Sequence, residues 1–403
     1  MYPFTREDHF LSYLILSYLD DILGGGRREF TKAVMEECQK KEQDKLWEFS
    51  TEKSKWMCIS NGKKNLEGIE VEVMQGKLQK TNVYKYVGNM VNEKGNMDDQ
   101  LEFMENKTYG IVHDGKKMCC RNKIGKYEIE AKGVVYKQLA VPSIFYNIEA
   151  WTNFRKYDIQ KLECIQGKVL KGLFGLPKST PYWGLLFELD VVPIMFLITY
   201  KRLMLYHSLI NSDDRRVAKH VVRAQEQSGH EECWFGNMKR ESKEINLQIS
   251  EDQVRGKLKS TWKKEVKEKI NIAVEKKMGE KKAESKKMRF LWKKGQDTYL
   301  QDTYNEDARL AMKIRLNMME WIEGNMGQEV CCPLCESEMD TTEHVFACAG
   351  SENDTNLTVK DLEEGRRMKE IVELFIANEQ KRREQLLHAI HTNLEQSRRD
   401  GIL

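Results

Sequence analysis

Proline is scarce in this chain, 6 in 403 residues, and long apolar runs are absent. The most apolar segment, VVPIMFLITY from Val191 to Tyr200, has ten residues, half of the about 20 that a bilayer-spanning helix needs. It reads as a buried helix, and no membrane partner is expected. The N-terminal residues lack a basic flank leading into an uninterrupted apolar stretch, so no secretory signal is expected. The cysteines do not form the evenly spread framework of a small secreted fold. Of the 10, six are scattered and four crowd into positions 331–348. That distribution points to a reducing, intracellular setting, nuclear or cytoplasmic, with one local metal site. No internal repeat is present. Gly24–Gly26 are followed by Arg27 and Arg28 rather than by the Lys-Ser/Thr ending of a phosphate loop. Those glycines suit a strand that bends or passes close to a neighbour.

The length calls for two or three domains. Few prolines and many Lys, Glu, Met and Leu residues favour helix. The net charge of +3 is unevenly placed: between Arg255 and Lys294, 16 Lys and Arg stand against 5 Glu, a local balance of +11 that leaves the remainder at −8. Such a segment is the electrostatic footprint of a polyanion-binding surface. A solvated helical face laced with Glu–Lys pairs has the same composition.

Pattern along the chain divides it further. HFLSYLILS, residues 9–17, is a strand ended by aspartates and glycines, with a helix expected over 27–47. GIEVEVMQGKLQK alternates as a hairpin does, and VYKYVGNMVNEKG reads as another strand. Asp98-Asp99 follows Asn96 and opens a helix, as an acidic first turn behind a capping residue should. Helical spacing then covers 134–148 and 161–174, the latter with Leu162, Ile165, Val169 and Leu173 on one face before Pro177 and Pro181. Residues 185–210 read as two apolar helices, 215–229 as a looser polar stretch, and Leu362 to about Glu395 as one amphipathic helix. The expected class is α+β. Its parts are a small sheet-bearing segment at 1–96, helical regions at 97–230 and 231–326, a metal knuckle at 327–350 and a helix at 351–403.

The sharpest local signal is CPLCESEMDTTEHVFAC, with Cys332-x2-Cys335-x8-His344-x3-Cys348. The first two thiols sit in a tight knuckle. Asp340 or Thr341 caps a helix that sets His344 and Cys348 on one face. Four soft ligands at this spacing suit a closed, structural Zn²⁺ site. Cys331 is adjacent, but the pattern does not require it. His113, His207, His220 and His230 have no partners at metal or triad spacing and read as surface or core residues.

SYLDDILGGG, residues 17–26, places Asp20 and Asp21 at the end of an apolar strand. Alone it describes a solvated turn. An acidic pair at the tip of a hairpin is also what two-metal phosphoryl transfer uses to hold Mg²⁺ or Mn²⁺. The order of features around it resembles that of the reverse transcriptases of non-LTR (LINE-like) retrotransposons. YLDD matches the aromatic-x-Asp-Asp motif of the catalytic palm hairpin, and EKSKWM is similar to the KTKxM stretch that follows it. YKYVG resembles the turn of the primer grip. LECIQGKVLKGLFGLPKSTPYWGLLFELDVVPI looks like the helical segment after the thumb, and CPLC…DTTEHVFAC like the terminal zinc motif.

The resemblance implies an RNA-directed DNA polymerase, a nucleotidyltransferase acting on an RNA template, a DNA primer and dNTPs. Asp20 and Asp21 would be the metal ligands and Lys53 would lie near the triphosphate. Tyr18, Tyr86 and Gly88 would position nucleic acid, with Lys263 and Lys264 on phosphates. Two features differ from the family. Leu19 stands where non-LTR enzymes carry alanine, and Val87 replaces a leucine. The family's third metal-binding aspartate and its fingers lie upstream of the hairpin, beyond the seventeen residues before Tyr18, so the expectation is a reverse-transcriptase fragment that is incomplete alone. The alternatives are a non-catalytic nucleic-acid-binding remnant with a structural zinc, and a helical interaction protein whose zinc only stabilises it.

Overall fold

The computed structural model describes residues 13–18, 21–26, 36, 40, 43, 50, 52–59, 71–73, 76–121, 128–152, 154–295, 298–300, 305–322, 329–351, 353 and 356–399. The chain forms two compact units, Met1–Phe103 and Met104–Leu403. The architecture is mostly helical with a few short strands, in keeping with an α+β class.

In the first unit, β1 (Tyr13–Tyr18) pairs antiparallel with β2 (Asp21–Gly26), Tyr18 opposite Asp21 and Tyr13 opposite Gly26. The apolar run thus turns back on itself at the aspartates, while Leu19 and Asp20 lie outside the described residues. β3 (Lys55–Trp56) runs parallel to β6 (Gln79–Lys80), and β4 (Glu72–Val73) antiparallel to β5 (Gly76–Lys77). β7 (Val83–Tyr86) and β8 (Asn89–Asn92) make a third antiparallel hairpin where the pattern had suggested one strand. Val87 (φ 44) and Gly88 (φ 80) both take positive φ there, as the tight turns that join twisted strands demand. A valine is rare in that role, so alternation alone reads as one continuous strand.

The described residues hold four two-stranded sheets. Two-residue strands supply few ladder bonds, and a glycine-rich β2 offers little side-chain surface to a further strand. The helix expected over 27–47 lies almost entirely outside the described residues.

The long helix α1 (Asp98–Arg121) opens as expected: Asn96 Oδ1 accepts from the Asp98 N–H at 3.2 Å, and buried Asn92 donates to Asn96 and to Asp99.

The second unit continues with α2 (Glu128–Val135), which runs through a π turn at Tyr136–Ala140 into α3 (Val141–Ile144). Pro142 stands at the start of α3, where a missing N–H is tolerated. α4 (Lys156–Phe174) buries the face Leu162, Ile165, Val169 and Leu173 that its spacing marked out. Asp158 starts it by accepting the Arg155 N–H at 2.8 Å and the Arg155 guanidinium, and Gly175 in the left-handed region ends it.

α5 (Tyr182–Glu188) and α6 (Ile194–Ile210) follow, and Gln166 of α4 joins them. Its Nε2 donates to Tyr136 Oη at 2.7 Å and to the Val192 carbonyl at 2.9 Å. Its Oε1 accepts from Tyr182 Oη and from the Ile194 N–H at 2.8 Å. This fully buried amide has every donor and acceptor paired, so it costs little to bury and fixes four segments at once.

Residues 215–229, read as loose and polar, instead form α7 (Val217–Ser228). Lys219 is buried and bridges the Ser212 carbonyl and Asp214, while Arg223 pairs with Glu251. Stems of charged side chains cover apolar surface there, which a polar/apolar pattern misses. α8 (Trp234–Glu244), α9 (Glu251–Val254) and the basic α10 (Lys259–Glu284) complete a core that runs from Phe196 to Ile270 and spans position 230. Within it Trp262 donates to the Leu203 carbonyl at 3.0 Å and stacks on buried His207.

The last elements are α11 (Asn305–Arg315), α12 (Thr342–Ala347), α13 (Val359–Glu364) and α14 (Met368–Arg399). The single C-terminal helix expected from Leu362 is broken at Gly365 (φ 66), where an added Cβ would lie 2.6 Å from Thr298 Oγ1 and 2.8 Å from Arg315 Nη1. The break frees the carbonyls of Leu362 and Glu363, and Arg315 Nη1 donates to both, at 2.7 and 3.3 Å. The same guanidinium donates from Nε to Glu188 Oε1 at 2.7 Å and from Nη2 to the Lys293 carbonyl. Tyr299 Oη donates to the other Glu188 oxygen at 2.9 Å, and burial beside that carboxylate holds the phenol well above its usual range.

Both charged side chains of the Arg315–Glu188 pair are wholly inaccessible to water. Among the described residues no helix is long and apolar enough to cross a membrane.

Removing one partner of a buried pair strands the other. Arg315→Met is therefore expected to lower unfolding free energy by about 3–5 kcal/mol. Urea denaturation checks this, and a loss under about 1 kcal/mol would show that the pair does not anchor α13.

Candidate metal centre and basic helix

The knuckle is built by backbone bonds across residues 330–340. The Cys332 N–H donates to the Glu338 carbonyl at 2.7 Å, and the Asp340 N–H to the Val330 carbonyl at 2.9 Å. Cys331 and Met339 form a bridge. At the tip, the Glu336 N–H returns to the Cys332 carbonyl at 2.8 Å, with Glu336 itself at φ 55. Of the two capping candidates, Thr341 serves: its hydroxyl accepts the His344 N–H at 3.2 Å. Cys348 ends α12 as its extended C-cap, one step beyond the helix on which it was expected.

Folding brings Cys332, Cys335, His344 and Cys348 together, their ligand atoms all within 4.8 Å of one another. Cys332 Sγ lies 3.7 Å from Cys348 Sγ, and Cys335 Sγ 3.2 Å from His344 Nε2. The edges of a tetrahedron with metal–sulfur and metal–nitrogen bonds of 2.0–2.3 Å are roughly 3.3–3.8 Å. The donor set and its spacing fit a structural Zn²⁺ with all four positions filled by protein. His344 Nδ1 is 3.0 Å from Glu338 Oε2, a contact that leaves Nε2 for the metal. The Ser337 hydroxyl and the Ser337 and Glu338 amides lower the Cys335 thiol to about 6, toward the thiolate a metal requires. Burial and the adjacent Cys332 sulfur push Cys348 up to about 11, although the Gly350 amide donates to it. Crowded sulfurs of this kind are relieved by a divalent cation. Exposed Cys331 stands outside the cluster.

The knuckle is fused to the helices. Arg382 of α14 donates to both oxygens of fully buried Asp340, at 2.9 and 2.5 Å, to the Trp321 carbonyl at 3.0 Å, and toward Cys332 Sγ at 3.6 Å. Phe346 and Trp321 both pack on Phe375. Thr342 donates to Asn317 at 2.6 Å. Glu338 and Asp340 lie inside the cysteine motif but carry no ligand spacing, and Arg382 is 34 residues beyond Cys348. Asp340 stands out as a cap candidate and not as a partner of Arg382; the rule that metal-bound histidines and buried acids need partners is the signal that could have found these roles.

The remaining site residues are dispersed. Asp20 is outside the described residues, and Tyr18 and Asp21 end the paired strands. Lys53 is exposed in a turn, and its carbonyl accepts from Tyr84 Oη at 3.2 Å, which brings it beside the strand that ends at Tyr86 and turns at Gly88. Lys263 and Lys264 are exposed on α10. Within α10, Lys277 pairs with Glu280 and Lys281 with Glu284, whereas Lys259, Lys263, Lys264 and Lys267 have no carboxylate partner among the described residues. The first half of the helix thus carries unneutralised charge, while its other face buries Trp262, Val266 and Ile270.

Comparison of the chain with protein-family models, curated proteins and solved structures finds no match.

Purified protein is expected to carry about one zinc per chain by mass spectrometry, and His344→Ala to lose it. A fully loaded variant would remove His344 from the ligand set. Glu338→Gln, which weakens the hold on the imidazole, is expected to lower zinc affinity about tenfold in a chelator competition.

Proposed function

We propose that the chain is related to the reverse transcriptases of non-LTR retrotransposons over the stretch from its YLDD hairpin to its zinc knuckle. Its work in this form is to hold nucleic acid. The observation that carries the binding half is α10, whose exposed Lys259, Lys263, Lys264 and Lys267 lack acidic partners among the described residues. It shares a compact unit with a Cys₃His cluster suited to zinc. Lysines without carboxylate partners are free to replace the counterions of a phosphate backbone.

The catalytic half rests on the resemblance. In it, Asp20 and Asp21 hold Mg²⁺ or Mn²⁺ for nucleotidyl transfer to a DNA primer on an RNA template, Lys53 meets the incoming dNTP, and Tyr18, Tyr86 and Gly88 position the strands. Two-ion chemistry also needs a carboxylate from a second strand, which the family places upstream of the hairpin. The second reading, a nucleic-acid-binding chain without chemistry, is favoured by placement: α10 and the knuckle lie in 104–403, a unit that contains none of these hairpin or grip residues.

RNA and DNA affinity is expected to fall linearly on a log–log plot against salt. Lys263→Ala/Lys264→Ala should reduce the slope by about two; a flat salt dependence would sink the binding proposal. Where the protein extends a primer on poly-rA with Mg²⁺, Asp20→Ala is expected to abolish the extension. Extension unaffected by that substitution would take the aspartates out of the mechanism.

A further inference from the structure

Trp292 leaves 68% of its surface in water, where a large apolar ring is costly to keep. The backbone that carries it is held in place. Phe290 and Leu291 before it are buried, and its own N–H donates to the Glu363 carbonyl at 3.2 Å. The carbonyl of Lys293 accepts from the buried Arg315. The indole is therefore presented outward by an anchored segment.

The charge around it is mostly of one sign. Lys282 Nζ lies over the ring, 5.1 Å from its centroid, and this cation uses one face only. Lys286, Lys287 and Lys293 are exposed and lack carboxylate partners among the described residues. Arg289 is taken by Glu343 and Lys294 by Asp190. Besides Glu343 and Asp190, which those two cations engage, half-buried Glu363 lies close enough for its charge to act on Lys282.

We propose that Trp292 is a stacking platform for an unpaired base, with Lys282, Lys286, Lys287 and Lys293 meeting the phosphates on either side. The site selects single-stranded nucleic acid, because a duplex keeps its base faces in its own stack and offers none to an indole. Lysines next to an open aromatic face match a polyanion whose monomers carry π-faces. This rests on the nucleic-acid binding proposed above and adds to it the class of strand.

The test is fluorescence anisotropy of the full chain with labelled oligo(U) and with an RNA duplex of equal length. Trp292→Ala is expected to weaken oligo(U) binding on the order of tenfold. It should leave the salt slope and the duplex affinity unchanged, and Trp292→Tyr should keep most of the affinity. Lys286→Ala/Lys287→Ala should instead lower the salt slope for oligo(U). Retained zinc and an unchanged circular dichroism spectrum confirm that the variants fold. Undiminished oligo(U) binding by Trp292→Ala overturns the proposal, and so does a loss that the duplex shares equally. Binding of poly-glutamate that needs Trp292 just as strongly would assign the platform to an acidic peptide and overturn it as well. A parent chain that binds neither RNA overturns both this site and the reading on which it rests.

Discussion

The C-terminal part of the helical unit depends on one guanidinium. Arg315 contacts Glu188 of α5, the Lys293 carbonyl and the two carbonyls at the end of α13, so four stretches distant in sequence meet at one charged group. Its charge is fixed at any ordinary pH, and its donors form a rigid fork, so the geometry has little freedom to relax. Glu188 spends both oxygens in the process, one on Arg315 and one on Tyr299. The bend at Gly365 follows from this arrangement, because any side chain there would occupy space held by Thr298 and Arg315. The outward pose of Trp292 follows too, since the carbonyl of the residue after it is one of the atoms Arg315 holds.

The knuckle repeats the device. Arg382 reaches from α14 to a buried Asp340 between the ligand pairs, and its guanidinium stacks on Trp321 with centroid distance 4.6 Å. A small loop of this kind has too few apolar residues to hold its own shape. The metal and the arginine supply different parts of what is missing: one closes the loop on itself, and the other fixes it to the body. Gly350 belongs to the same economy of space, because a Cβ there would lie 2.7 Å from the Leu334 carbonyl oxygen.

Legibility from sequence followed the range of the interactions. The helix at Lys156–Phe174 and the capped start at Asp98 are set by neighbours a few residues away, and periodicity and caps exposed them. The pairing of Tyr13–Tyr18 with Asp21–Gly26 was suggested by the YLDD resemblance and not by the pattern of residues. The four ligands were legible because a metal imposes residue type and spacing together. The helix Val217–Ser228 and the break at Gly365 were not. Each depends on a partner far along the chain or on a residue acting against its usual preference. Arg315, Arg382 and Gln166 look like ordinary surface residues in the sequence, since nothing local reports that their partners lie 127, 42 and 30 positions away.

Gln166 carries one further consequence. Its two donors meet the Tyr136 hydroxyl and the Val192 carbonyl, and its oxygen receives the Tyr182 hydroxyl and the Ile194 amide. Glutamate has the same outline but no N–H, so it would turn an acceptor toward a carbonyl that can only accept. Methionine would fill the volume and leave the Tyr136 hydroxyl and the Val192 carbonyl without the amide they meet. The position distinguishes an amide from its acid and from a thioether of similar length, a chemical selectivity exercised by the fold on its own sequence.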